Sequence, residues 1–184
     1  MKRLLLLLIL ILLVPAYALS TPFVIEDLER IKIKEDLSQA GKWKRTPTVV
    51  ICQYSPVDKE QVAKAMAWWT ERGYNFFPLV QPGDSKERKA CSSSNPVGYI
   101  LINLISQDVL KEIDHDDLAV THFYVDDTTK EVTWAKIYLR THIEERILEH
   151  ELGHALGWMH TSQIRHLMHP KWMRGGWLDA GLAK

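Results

Sequence analysis

Apolar and polar positions along this chain repeat with two periods, and the switches between them outline a mixed sheet-and-helix domain. Thr48 to Tyr54 is β-branched and apolar, the mark of a buried strand. Ser55-Pro56 then offers an N-cap followed by proline at the first helical position. Val62, Ala65, Met66 and Trp69 recur at helical spacing, and Gly73 can close that helix. Phe76 to Val80 reads as a second strand, followed from Gln81 to Pro96 by a polar, serine-rich loop that holds Cys91. Val97 to Ile105 is another apolar strand, and Asp108 to Ile113 suits a helical turn. Leu118 to Val125 and Val132 to Leu139 flank a polar connection of hairpin length. Thr141 and Glu144 form a T-x-x-E capping box, which predicts the start of a last helix. The expected class is α+β, a mixed twisted sheet with two main helices.

The first residues carry a different pattern. Lys2 and Arg3 precede an apolar run from Leu4 to Val14, broken by Pro15 and followed by Ala16-Tyr17-Ala18. That is the layout of a signal peptide, expected to be cleaved after Ala18. The run is shorter than the roughly 20 residues a spanning helix needs, so no stable membrane anchor is expected. Residues 19–46 read as a charged arm, and residues 47–184 as the folded domain. The Lys42-Trp43-Lys44-Arg45 cluster within the arm suits a basic linker better than a propeptide cleavage site. Export makes an oxidising compartment, in which Cys52 and Cys91 pair as a disulfide or remain two separately buried thiols. Pairing is the expectation, since no other use for them is visible. Formal net charge is +0, which gives no bulk attraction to nucleic acid or to an anionic membrane, although a local basic patch can hide in a neutral total.

Chemistry is concentrated between His150 and His160, in the run H-E-L-G-H-A-L-G-W-M-H. His150 and His154 are one helical turn apart on the same face, so both imidazoles can reach one metal. Glu151 lies beside that face, where it can reach a water without becoming a ligand. Gly157 can adopt positive φ and end the helix, letting His160 approach the metal from another direction. Three histidines leave a tetrahedral position open, as a catalytic zinc site requires, and imidazole favours zinc over calcium or magnesium. His142, His166 and His169 read as packing or surface residues.

The eleven-residue H-E-x-x-H-x-x-G-x-x-H pattern, with Leu167-Met168-His169-Pro170 behind it, resembles the metzincin zinc peptidases and among them the matrixins. Met168 stands where that family places a methionine beneath the metal, and Thr161 where matrixins usually carry serine. The resemblance implies a metzincin-like fold with a zinc helix and a methionine turn in a short C-terminal subdomain. It also implies a secreted endopeptidase that hydrolyses peptide bonds with a zinc-activated water and Glu151 as general base. Its partner is then a peptide or protein substrate, lying extended along the strand from Leu118 to Val125. The rival is a secreted, non-catalytic zinc-binding or partner-binding module; retention of Glu151, which zinc binding does not need, argues against it. His115, Asp117 and His122 resemble part of a matrixin structural-zinc set, but an acidic solvated loop accounts for them better.

Overall fold

A computed structural model describes residues 37–80, 85–141 and 143–184. The signal-peptide reading, most of the charged arm and His142 lie outside the described residues. The elements run β1 (Thr48–Ile51), α1 (Lys59–Thr70), β2 (Phe77–Val80), α2 (Ser85–Ser92), β3 (Tyr99–Leu104), α3 (Gln107–Leu110), β4 (Ala119–Val125), β5 (Val132–Leu139) and α4 (Ile147–Ala155). A 3-10 turn, Trp172–Arg174, follows near the C-terminus. The strands form one five-stranded sheet in the order β2-β1-β3-β5-β4. All neighbours are parallel except β4, which pairs antiparallel with β5 and forms one edge. The α+β expectation holds at this level.

Alternation along β1 and β3 divides the core. Val49, Ile51, Ile100 and Ile102 face the side on which α1 and α4 pack, joined by Ala135, Ile137 and Leu139 of β5. Val50, Cys52 and Leu101 face the other side, where Ala90 of α2 covers them. Burial on both faces is why these strands read as unbroken apolar runs. Cys52 and Cys91 are joined by a disulfide with a Cα separation of 5.8 Å, which ties α2 to the end of β1. The pairing expectation is met.

Three boundaries differ from the sequence reading. α1 is capped by Asp58, not Ser55, because Asp58 and Gln61 complete a reciprocal capping box closer to the first apolar position. The serine-rich segment from Gln81 to Pro96 is not all loop but contains α2; its Lys-Glu-Arg-Lys-Ala stretch has good helical propensity, and the disulfide fixes its last turn. α4 begins at Ile147, after Arg146 in a left-handed conformation, and the Thr141–Glu144 box does not cap it. There the chain is organised by tertiary partners instead: the Arg146 guanidinium reaches Glu149, and the Trp172 indole N–H donates to the carbonyl of Glu145.

Helix α4 is held in register by indole donors. Trp69 is fully buried and donates to the Glu149 carbonyl at 2.8 Å. Trp43 donates to the Ala155 carbonyl at 2.7 Å, and Trp158 to the Tyr74 hydroxyl at 2.9 Å. Of the adjacent tryptophans on α1, Trp69 is thus core, while Trp68 is half-buried beneath the Arg72 guanidinium, 3.3 Å from its ring. Residues from Leu37 onward already pack on the domain. Ala40 N–H donates to Gly157 O and Met159 N–H to Ser38 O, both at 2.9 Å.

Candidate metal centre

The end of α4 explains how His160 returns. Gly157 has φ +96°, its N–H donates to His154 O, and the Trp158 N–H donates to Gly153 O. That pair of bonds is a Schellman closure, which stops the helix and reverses the chain. A side chain at Gly157 would place Cβ 2.1 Å from the Gly41 carbonyl oxygen, so glycine is demanded by both conformation and space.

With the chain reversed, the three predicted histidines meet. Nε2 of His154 lies 3.0 Å from Nε2 of His150 and 3.0 Å from Nε2 of His160. The ligand atoms of all three fall within 4.8 Å of one another, and no other such group occurs among the described residues. The backbone selects the tautomers. Nδ1 of His150 lies 2.6 Å from Leu167 O, and Nδ1 of His154 lies 2.7 Å from Trp158 O. A carbonyl only accepts, so each Nδ1 carries the proton and each Nε2 presents a lone pair to the common centre. Burial also lowers the pKa of all three rings: His150 to about 4, His154 well below its usual range and His160 downward. Neutral imidazoles with converging lone pairs repel one another unless a cation lies between them. Tetrahedral zinc with bonds of about 2.0–2.1 Å separates its nitrogen ligands by about 3.3 Å, close to the 3.0 Å of the two spacings made by His154. The donor set therefore fits a metal ion of this type.

Glu151 is buried, at 5% exposure, and its carboxyl is pushed up to about 7, chiefly by desolvation. The Thr121 hydroxyl on β4 donates to Oε2 at 2.6 Å, which partly opposes that rise. Thr121 escaped the sequence reading. Its residue type marks it as a strand position, but nothing local signals that the edge strand crosses the middle of α4. The two carbonyls that orient His150 and His154 likewise leave no trace in residue identity.

Met168 is fully buried below α4. A Cβ at Gly153 would lie 2.5 Å from its sulfur and 2.9 Å from Trp69 Cζ2, so the glycine between His150 and His154 is where Met168 packs. His166 is a structural residue, as expected: Nδ1 accepts from Met168 N–H at 3.1 Å, and Nε2 faces Ala180 O at 3.1 Å. His169 accepts from Lys171 N–H at 3.0 Å. His115 and Asp117 are exposed, and His122 lies 3.9 Å from Glu112, so these residues are not gathered into a second metal-ligand group among the described residues. No family model matches the chain, and no curated protein matches it significantly.

Proposed function

We propose that this chain is an exported zinc-dependent endopeptidase of the metzincin type, matrixin-like in its closing segment. The observation that carries the reading is the convergence of three neutral imidazole Nε2 atoms beside a buried carboxyl that ligation does not require. Zinc, when bound by His150, His154 and His160, supplies a Lewis acid that acidifies a water and polarises a scissile carbonyl. The Glu151 carboxylate takes the proton of the attacking water and returns it to the leaving amine as the C–N bond breaks. Burial keeps the carboxyl away from bulk water, and the Thr121 hydroxyl holds it in place. Met168 packs tightly against Gly153, which keeps the histidine-bearing turn rigid.

Peptide selectivity rests on β4. Among the described residues it is the edge strand, antiparallel to β5 and joined to Glu151 through Thr121, so an extended substrate can add to its outer main-chain edge beside the metal. Export is supported by the leader-like N-terminus and by the disulfide, which persists in oxidising compartments. Among the described residues no helix is long and apolar enough to cross a membrane.

The test is digestion of a broad peptide library with cut sites mapped by mass spectrometry. Expected are internal cuts that vanish with a chelator and return with zinc. Zinc binding with no cleavage would favour the binding-module reading, and cleavage indifferent to chelation would remove the metal from the account.

A further inference from the structure

The segment from Leu152 to Leu178 contains no aspartate or glutamate, yet carries Arg165, Lys171 and Arg174. A chain with net charge +0 has therefore gathered an unbalanced positive charge on its C-terminal subdomain. All three cations are exposed, and none makes an ion pair among the described residues. Large apolar side chains stand exposed among them: Met173 at 88%, Trp177 at 72%, Ile164 at 60% and Trp172 at 41%.

These residues are brought together by main-chain bonds. Trp177 N–H and Leu178 N–H donate to Arg165 O at 2.8 and 2.7 Å, and Arg165 N–H donates to Arg174 O. Gly176 N–H donates to His166 O, anchoring the same segment to the buried His166. Asp179, the next residue in the chain, is paired with Arg72, and Glu149 with Arg146.

Exposed tryptophan, methionine and isoleucine cost solvation in water, and a patch of this kind marks a binding surface. Interleaved arginine and lysine select an anionic partner, while tryptophan suits the headgroup level of a bilayer. We propose that the loops around Ile164, Met173 and Trp177 form a peripheral docking surface for an anionic lipid bilayer. Met173 and Trp177 enter the interface, and Arg165, Lys171 and Arg174 meet the headgroups. Attachment is reversible and independent of the metal centre.

The experiment is co-sedimentation of the full chain with vesicles of phosphatidylcholine alone and of phosphatidylcholine with 30% phosphatidylglycerol, at low and high salt. Expected is binding to the anionic vesicles that weakens with salt, about tenfold weaker binding to the neutral ones, and a blue shift of tryptophan fluorescence. The double variant Met173→Ser/Trp177→Ser should lose at least tenfold in partitioning while cleaving a soluble peptide as before. Arg174→Glu, which leaves the apolar residues in place, should also weaken binding and guards against misfolding of the double variant. Binding to neither vesicle, or equal binding that both variants retain, would overturn the proposal. So would binding to DNA or heparin without binding to vesicles, or a self-associated chain whose dimer Met173→Ser/Trp177→Ser dissolves.

Discussion

Substituting Gly157 by alanine tests how the helix end, the arm and the third histidine depend on one another. An L-residue held at φ +96° costs about 1–2 kcal/mol. The added Cβ would also lie 2.1 Å from the Gly41 carbonyl oxygen, far inside contact distance, so the arm has to move away. That movement puts the Ala40–Gly157 and Ser38–Met159 main-chain bonds at risk, each worth about 1 kcal/mol net. The expected total is about 3–4 kcal/mol, with weaker zinc binding because His160 follows this turn. Gly98→Ala is the control: φ is +88°, but nothing lies within 4 Å of the added Cβ, so only the conformational cost of about 1–2 kcal/mol applies. Any gain from restricting the unfolded chain is common to both variants and cancels. Urea denaturation of the two, with zinc titration of each, measures the difference. If Gly157→Ala is no less stable than Gly98→Ala and binds zinc like the parent, the coupling between arm and metal turn is refuted.

Other consequences follow from the same structure. Reducing the Cys52–Cys91 bond, or replacing both residues by serine, should cost about 3–4 kcal/mol from the closed loop alone, read as a lower melting temperature; an unchanged melt contradicts it. In zinc-free protein, burial raises Glu151 from 4.5 to about 7, so the folded state holds that proton more tightly than the unfolded one. Its contribution to stability therefore falls as pH rises from 4.5 through 7. Glu151→Gln removes this term, and the zinc-free variant should exceed the parent by about 3 kcal/mol at pH 8 while matching it near pH 4. Denaturation in chelator at both pH values checks this, and a difference that does not change with pH argues against it. Proline placed at successive positions of β4 should, at those whose amide faces the cleft, raise KM or abolish cleavage in folded, zinc-loaded protein; unchanged kinetics along the whole strand would remove β4 from substrate binding.

The histidine cluster was legible in the sequence because its geometry is almost entirely local. Helical spacing fixes His150 against His154, and one glycine with a positive φ suffices to return His160. Strands β3, β4 and β5 were legible for a similar reason, since apolar runs separated by turn residues survive in any sheet. What failed to show depends on distant partners. The start of α4 is set by Arg146, Glu149 and Trp172 rather than by a side-chain cap, so the plausible box at Thr141 misled. α2 is polar over most of its length, so it lacked the apolar stripe that marks a helix. Thr121 reaches Glu151 only because β4 is the sheet edge that crosses α4, and no residue pattern encodes that crossing.

In the proposed peptidase, ligation and proton transfer are divided between His150, His154 and His160 on one hand and Glu151 on the other. Glu151→Gln keeps the shape of the side chain and removes only its capacity to take a proton. Zinc content and peptide-cleavage rate measured on the same preparation of that variant decide the matter. Expected is one zinc per chain, as in the parent, with hydrolysis reduced by about 10²–10⁴. A zinc-loaded Glu151→Gln chain that cleaves as fast as the parent would contradict it.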